Sequence, residues 1–314
     1  MNKLNEKEII KLMNNKRRKV ISEDVEIFKL GKEQCAVCVD TLVESTDIPE
    51  GSRLADISRK SIVSSISDFA AKGIVPRFCI VSLTLPKTIS RNDVQEISRG
   101  FSDACKEFKI QLLGGDTNQG KEISIHVVLF GSLKKYIKRK NAKIGDLICT
   151  TGAFGYTSAA LNIILKKKKS SKMFSKKSKD RFFRPNPRLK FGVKSVNYIT
   201  SCMDSSDGLS SCLNEMSRQS KKKFVITKYP TNGDIKEFSK KNRINLKKLI
   251  FDGGEEFELV FTISPKDLTK ILRIASGLDI KIFQIGHVTK GNGAFFDDEK
   301  ESFRIKDNGW EHFR

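Results

Sequence analysis

Segments with the apolar spacing of a helix alternate with short β-branched segments along the chain, and this alternation restricts the fold more than any other feature. Residues 59–73 place four apolar side chains on one helical face, namely Ile62, Ile66, Phe69 and Ala70. The segment FCIVSLTLP then predicts a strand that ends at Pro86, and a second helix is expected to begin at Ser90, with Asp93 three residues on. Chains that alternate in this way form layered α/β or α+β domains.

The length of 314 residues suits two domains, either of which can bury a full hydrophobic core. A basic connector, KKYIKRKNAKIGD, separates the two halves of the sequence. We therefore expect an N-terminal domain over residues 1–145 and a C-terminal domain over residues 146–314.

The sequence carries no uninterrupted apolar stretch of about 18 residues, so no membrane span is expected. The segment MNKLNEKEIIKLMNNKRRK lacks the apolar core of a secretory signal. Seven cysteines are an odd number that suits a reducing compartment, and we expect a cytoplasmic protein. Cys35 and Cys38 lie in the strand-like segment QCAVCVDTLV, where positions three apart face opposite sides, so core cysteines are expected there and not a shared metal site.

The formal net charge of +22 favours an anionic partner, such as a nucleotide, a nucleic acid or an acidic surface. Lys outnumbers Arg by 43 to 16, whereas proteins that read nucleic acids rely on Arg, so nucleic acid is not expected to be the main partner. A Lys/Ser run at residues 166–179 is predicted to be a solvated loop, with an electrostatic patch for polyanions as the alternative.

Two familiar nucleotide-binding motifs are missing from the sequence. The heptapeptide GDTNQGK fits most of a P-loop, but Glu122 follows it in place of the hydroxyl residue that binds magnesium, and the next segment is strand-like. The Gly-x-Gly-x-x-Gly pattern of dinucleotide-binding domains is absent as well.

Acidic residues recur where apolar segments end. Asp40 ends a predicted strand, Asp68 lies on a predicted helix, and Asp116 follows two glycines. Asp204 and Asp207 flank a predicted strand-to-helix turn. Carboxylates beside buried strands are costly unless they are paired or bind cations, so their convergence would indicate Mg²⁺ that bridges nucleotide phosphates. Any one of them alone could equally be a helix cap or a turn residue.

The segment MDSSDGLSSCLNEM predicts a turn in which Ser205 or Ser206 caps the following helix, whose first N–H groups could bind phosphate oxygens. In GGEEFELVFTI, alternating apolar residues predict a strand. The Gly pair before it allows close backbone approach, so Glu255 is expected at the rim of a site.

Eight ordered motifs give the chain a resemblance to a known family. They are DTLVESTDIPEG, SISDFAAKGIVP, LLGGDT, TTGAFGYTSAAL, RPNPR, MDSSDGLSSCL, DGGEEFELVFT and NGWEHF. Their order resembles that of the thiamine-monophosphate kinase family, within the aminoimidazole-ribonucleotide-synthetase-like superfamily. The resemblance implies two α/β domains, a homodimer joined through the N-terminal domains, and ATP-dependent phosphorylation of thiamine phosphate to thiamine diphosphate.

Carried over position by position, the resemblance implies three sets of site residues. The ligands of several Mg²⁺ ions would be Asp24, Asp40, Asp68, Asp116, Asp204 and Asp207. The ATP contacts would be Gly115, Asp116, Arg139 and Ser206. The thiamine phosphate contacts would be Asp47, Glu255 and Trp310. An aromatic face can stack on a cationic thiazolium ring, which suits the tryptophan, although a terminal anchor packed on the core is the alternative.

Four places depart from the pattern of the family. Its early Gly-Asp-Asp-Ala motif appears here as residues 22–25, with the sequence SEDV. The hydroxyl residues usual before the strand-end Asp are replaced by Cys38 and Val39. A usual His is Asp47, and an aromatic residue expected in the helix after Ser90 is Ser98.

Direct phosphoryl transfer needs no general base here, because the acceptor is already a phosphate oxygen anion. Metal ions and Arg139 would screen the repulsion between the two anions, with no covalent enzyme intermediate. Within the superfamily, the alternatives are an amide-activating synthetase and a selenophosphate synthetase. From a different class, the alternative is a basic nucleic-acid-binding protein without catalysis.

Overall fold

The apolar segments form two β-sheets covered by helices, which a computed structural model describes over residues 4–13 and 23–312. Within those residues, the first sheet contains the strands β1 (Glu26–Leu30), β2 (Glu33–Val43), β3 (Val75–Pro86), β4 (Gln111–Gly120) and β5 (Ser124–Leu133). The second contains β6 (Leu147–Thr150), β7 (Ile199–Asp204), β8 (Lys223–Ile226), β9 (Leu259–Ile263), β10 (Phe283–Thr289), β11 (Gly293–Asp297) and β12 (Ser302–Arg304). Ser22 and Phe313, which belong to two of the quoted motifs, lie outside the described residues.

The helices lie between and around the strands in sequence. They are α1 (Glu6–Met13), α2 (Glu44–Asp47), α3 (Leu54–Lys72), α4 (Arg91–Phe108), α5 (Tyr156–Leu165), α6 (Lys172–Phe183), α7 (Leu189–Ser195), α8 (Leu209–Ser220), α9 (Gly233–Asn242), α10 (Leu246–Phe251) and α11 (Leu268–Ser276), with a 3₁₀ turn at Pro265–Asp267. None of the helices in the described ranges is both long enough and apolar enough to cross a membrane.

The first sheet has the strand order β1-β2-β5-β3-β4, in which only the β3–β4 pair is parallel. Its inward apolar side chains pack with those of α3 and α4 in one core. The second sheet has the order β12-β11-β8-β10-β6-β9-β7 and packs against α8, α10 and α11 in two further clusters. The layered α/β architecture expected from the sequence is therefore confirmed.

The helix predicted at Ser90 is confirmed in detail. The Ser90 side chain accepts the backbone N–H of Asp93, and the Asp93 carboxylate accepts the N–H of Ser90, which completes a capping box. Local sequence alone sets this arrangement, because both partners lie within one turn.

The segment QLLGGDT forms part of a strand. It belongs to β4, whose parallel pairing with β3 has an irregularity at Leu113 and resumes at Gly114 and Gly115. A Cβ at Gly115 would lie 1.9 Å from the carbonyl oxygen of Val81, so the close strand pairing requires glycine there. This edge strand is exposed along nearly its whole length.

The Lys/Ser run forms a helix over its second part, so the predicted solvated loop is wrong for residues 172–179. Ser171 caps α6 by accepting the N–H of Phe174 at 3.2 Å. Three residues at a spacing of four then bury one face, Phe174, Ser178 and Phe182. The Phe174 ring stacks on Phe238 at 5.0 Å, and this contact outweighs the polar composition.

The α6 helix allows a stability test with an internal control. Phe174→Ala removes a ring that is only 7% exposed, and we expect it to lower the free energy of unfolding by about 3 kcal/mol or more. Met173→Ala, on the neighbouring position that is 81% exposed, should change it by less than about 0.5 kcal/mol. Urea unfolding followed by circular dichroism measures both. Equal stability of the two variants would contradict a packed α6.

Candidate active site

Helix α3 carries ionic side chains although 16 of its 19 residues are buried. Most of these side chains reach an opposite charge on another element. Arg59 forms a two-pronged hydrogen bond with Glu107 of α4, at 3.0 and 2.9 Å. Lys60 forms an ion pair with Glu255 at 2.5 Å. Burial makes such partners necessary, because an unpaired charge inside a protein costs several kcal/mol or neutralises itself.

Near its C-terminal end, α3 instead brings Asp68 among other acids. The carboxylate oxygens of Asp24, Asp68 and Asp204 lie within 4.8 Å of one another. A second group with the same mutual spacing contains Cys38, Asp40 and Asp68. Five donor side chains from four places in the sequence therefore meet around Asp68.

The sequence explains how these side chains converge. Cys38 and Asp40 are two residues apart on β2, so they share the strand face that is directed towards α3. Asp204 is the last residue of β7, and Ser67 of α3 donates to its carboxylate at 3.0 Å. Ser65 donates to the Asp40 carboxylate at 2.6 Å. The end of α3 thus joins a strand from each sheet.

Among the described residues, two cations form ion pairs with one member of the groups, Asp24. Arg139 binds the Asp24 carboxylate through Nε and Nη2, and Lys72 forms an ion pair with the other oxygen of Asp24. Lys72 also pairs with Glu23 at 2.5 Å. Burial alone would raise the pKa of Asp24, but these two cations hold it below its ordinary value.

The remaining carboxyl groups show the opposite behaviour. Removal from water, and then the negative charge of Asp24, raise the pKa of Asp204 to about 7. Burial and the neighbouring carboxylates also raise the pKa of Asp68 well above its ordinary value. The pKa of Asp40 is raised, chiefly by burial. A group of carboxylates that resist ionisation when metal-free is a donor set that fits a hard divalent cation such as Mg²⁺.

The turn after β7 connects this cluster to its surroundings by backbone hydrogen bonds. The N–H of Glu255 donates to the Ser206 carbonyl at 2.6 Å, and the N–H of Trp310 donates to the Asp207 carbonyl at 2.9 Å. A Cβ at Gly254 would approach the Ser206 carbonyl oxygen to 2.6 Å, so the expected close approach of the Gly pair is found.

The predicted helix cap at Ser205 or Ser206 is wrong. Helix α8 is preceded by Gly208, which has a φ of 111° and provides no side-chain cap. The Ser205 hydroxyl instead donates to the carbonyl of Glu258 at 2.8 Å and accepts its N–H at 3.0 Å. A tertiary contact therefore takes the hydroxyl that local reasoning assigned to the helix.

A cleft of about 710 Å³ lies beside the turn. Asp47 and Trp310 both line it, with Thr41, Asn308 and His312 among the other lining residues. The Trp310 side chain is 55% exposed, which argues against the alternative of an anchor packed on the core. Asp47 accepts the N–H of Val43 at 2.7 Å and so holds the short helix α2 at the rim.

Comparisons with known proteins agree with this arrangement. Family models for AIR synthase related proteins match residues 22–133 with their N-terminal domain and residues 143–299 with their C-terminal domain. The thiamine-monophosphate kinase of Nitrosopumilus maritimus is 51% identical over 314 residues, with 100% of both chains covered. That of Pyrococcus horikoshii is 32% identical and covers 100% of this chain and 98% of its own. The chain belongs to the thiamine-monophosphate kinase family.

A solved structure of AaThiL complexed with AMPPCP and TMP matches with a TM-score of 0.89 and 26% identity. The match covers 99% of this chain and 98% of that one. The fold of the thiamine-monophosphate kinase family therefore extends over nearly the whole chain.

The structure does not bring every candidate residue of the family pattern together. Asp116 and Gly115 lie on the exposed edge strand β4, and Asp116 belongs to neither 4.8 Å group among the described residues. Asn118 donates to its carboxylate at 3.3 Å. Arg139 is directed towards Asp24, as described above. Ser206 and Asp207 lie next to the cluster, in the turn that follows Asp204.

Sequence reasoning missed three residues that shape the site of this family member. Lys72 and Glu23 form the network around Asp24, and no local pattern announces a contact between residues 49 apart. Cys38 was expected to be a core cysteine, and it is buried, but its sulfur also faces Asp40 and Asp68. The available signal was its position two residues before Asp40 on the same strand.

Glu256 is a further buried carboxyl group, adjacent to the site. Its Oε1 accepts the N–H groups of Gly155 at 2.6 Å and Thr157 at 3.1 Å, at the N-terminus of α5. Burial raises the pKa of Glu256 to about 7 in spite of these bonds and of Arg181. Between its ordinary pKa of 4.5 and about 7, the folded protein therefore holds a proton that the unfolded chain has lost.

This difference sets the sign of a pH effect. The contribution of Glu256 to stability is present at low pH and is lost as the pH rises through about 7. Glu256→Gln keeps an acceptor oxygen without the charge, so the melting temperature of the wild type relative to Glu256→Gln should fall between pH 5 and pH 8. Thermal unfolding in EDTA at several pH values measures this difference. A constant difference across that range would contradict the raised pKa.

Proposed function

We propose that the protein transfers the terminal phosphoryl group of ATP to thiamine phosphate, which gives thiamine diphosphate. One observation carries this proposal: the acidic side chains around Asp68 lie next to the turn after β7, whose Asp207 carbonyl accepts the N–H of Trp310. Phosphate recognition and thiazolium recognition would then lie on either side of residues 204–207. Full-length relatives named thiamine-monophosphate kinase, and the bound ATP analogue and thiamine phosphate of AaThiL, support the same activity.

The acids around Asp68 would hold Mg²⁺. Asp24, Asp68 and Asp204 offer one all-oxygen group, and Asp40 lies within 4.8 Å of Asp68. Bound Mg²⁺ would neutralise phosphate oxygens and stabilise charge on the transferring group. Asp116 on strand β4 and Asp207 in the turn after β7 complete the proposed ligand set. Both residues are exposed and could reach a bound ion.

The side chains of this chain would act by position and charge. A phosphate oxygen of thiamine phosphate is already an anion, so no side chain has to remove a proton from it. Arg139, held by Asp24, would contribute fixed positive charge near the phosphates at no cost of reorganisation. With Gly115, Asp116 and Ser206, it would contact ATP.

Thiamine phosphate would occupy the cleft beside the turn. Trp310 would stack on the thiazolium ring, since its exposed face lines the cleft. Asp47 would add a negative charge facing the same cation. Glu255 would also contact the substrate. Its ion pair with Lys60 and its backbone hydrogen bond to Ser206 hold Glu255 in place.

A homodimer through the N-terminal domains is part of the proposal. Strand β4 leaves its outer edge open, and Leu112 and Leu113 on it are exposed. An apolar groove of about 570 Å³ runs beside it, between β3 and α4. A second copy that covered this face would also cover Asp116 and Gly115, which offers a reason for their position away from the other ligands.

The domain boundary and the compartment stay proposals as well. We place the N-terminal domain at residues 1–145 and the C-terminal domain at 146–314, since the two sheets separate between β5 and β6. All seven cysteines are free, which supports a cytoplasmic location.

The proposed activity is tested by product analysis with ATP, Mg²⁺ and thiamine phosphate. We expect thiamine diphosphate from the wild type and about a hundredfold or greater loss of turnover in Asp68→Asn, because Asp68 belongs to both carboxylate groups. Asp279→Asn is the matched control, since Asp279 is exposed and its φ of 54° suits Asn equally. Asp116→Asn tests the ligand proposed on β4. Wild-type turnover in Asp68→Asn would refute the site.

A second experiment separates substrate binding from chemistry. Trp310→Ala should raise the KM for thiamine phosphate about ten- to thirtyfold, since a lost cation–π contact is worth roughly 1–2 kcal/mol. The melting temperature should change little, because the side chain is more than half exposed. Trp310→Phe should restore much of the loss. A lower melting temperature with an unchanged KM would show that the tryptophan is structural.

A further inference from the structure

Cys38 introduces a sulfur into a group of donors that otherwise consists of oxygen. Its Sγ lies within 4.8 Å of ligand oxygens of both Asp40 and Asp68, and its side chain is only 9% exposed. Cys35, three residues earlier on β2, lies on the opposite face and belongs to neither group within the described residues. The alternation of side chains along β2 therefore places Cys38, and not Cys35, next to Asp40 and Asp68.

The two groups that share Asp68 differ in chemical softness. Asp24, Asp68 and Asp204 offer oxygen alone, which suits Mg²⁺. A thiolate with two carboxylates suits a softer cation, since sulfur ligands favour Zn²⁺ and related ions, whereas oxygen ligands favour Mg²⁺. Three protein donors would leave a fourth tetrahedral position for water or a substrate oxygen.

The carboxylates of this group have no ion-pair partner within the described residues. Ser65 donates a hydrogen bond to Asp40, but no ion pair with Asp40 or Asp68 occurs among the described residues. Arg139 lowers the pKa of Asp68 through its charge, but its ion pair, like that of Lys72, is with Asp24. A divalent ion would supply the compensation that these carboxylates lack.

We propose that Cys38, Asp40 and Asp68 form a site for a thiophilic divalent cation, which competes with Mg²⁺ for Asp68. On binding, the thiol loses its proton to the buffer, a sulfur–metal bond forms, and water ligands leave the hydrated ion. The site itself stands on the donor geometry, whereas its effect on phosphoryl transfer rests on the proposed function.

Cd²⁺ is the probe of choice, because a cadmium–thiolate bond produces an ultraviolet charge-transfer band that oxygen ligands do not. The sulfurs of Cys79 and Cys105 are 3.9 Å apart and could also bind Cd²⁺. The titration is therefore performed on full-length protein with the background substitution Cys105→Ser. Cys38→Ser is compared with Cys35→Ser, which makes the same chemical change on the other face of the same strand.

We expect the band in the background protein and in Cys35→Ser, and its loss or an affinity at least about tenfold weaker in Cys38→Ser. Excess Mg²⁺ should weaken Cd²⁺ binding in the background protein, since both ions would use Asp68. Melting temperatures of the metal-free variants show whether each is folded, and Cys38→Ala replaces Cys38→Ser where the latter is not. Equal bands in Cys38→Ser and Cys35→Ser would overturn the proposal.

The outcome is independent of the kinase assay. If thiamine diphosphate is not formed while the band depends on Cys38, the proposed function fails and the metal site stands. If thiamine diphosphate is formed while the band is unchanged in Cys38→Ser, only the proposed site for the thiophilic cation fails. With both in place, Cd²⁺ at fixed Mg²⁺ should inhibit the wild type more strongly than Cys38→Ser.

Discussion

A helix buried on all sides has no solvent face on which to place its ions, and this constraint governs the structure around α3. Each ionic side chain of α3 must find a partner on whatever element packs against it. Asp56 meets Arg184 at 2.5 Å, and Lys60 meets Glu255, both from the C-terminal half of the chain. The ion pairs that satisfy the helix therefore also connect the two halves of the chain.

Asp68 differs from the other ionic residues of α3, because it forms no ion pair among the described residues. Its neighbours include Asp24, Asp40 and Asp204, so burial sets like charges against one another. Lys72 and Arg139 form their ion pairs with Asp24, and burial and the crowding of carboxylates raise the pKa of Asp68 and of Asp204 although the charge of Arg139 opposes this. A bound divalent cation would relieve both costs at once, and under the proposed function folding and cation binding would then be coupled in the same few residues.

The sequence was most informative where both partners lie close together along the chain. The Ser90 capping box follows from a spacing of three residues, and the opposite faces of Cys35 and Cys38 follow from strand alternation. Pairings over long separations were not predictable in this way. The Ser205 hydroxyl had a plausible local partner in α8 but binds the Glu258 backbone instead. Likewise, α6 depends on Phe174 meeting Phe238, which composition does not reveal.

The turn after β7 shows why the distant pairings matter for the site. Asp204 is fixed by the strand, and the next residues accept backbone N–H groups from Glu255 and Trp310. Backbone hydrogen bonds do not depend on side-chain rotamers. The main chain therefore sets the distance between the acidic residues around Asp68 and the cleft lined by Trp310. Side-chain changes such as Asp47 in place of the family's usual His can then alter what the cleft binds while leaving that spacing unchanged. The charge around Asp68 and the shape of the cleft at Trp310 can therefore change independently, because the backbone of the turn after β7 connects the two places.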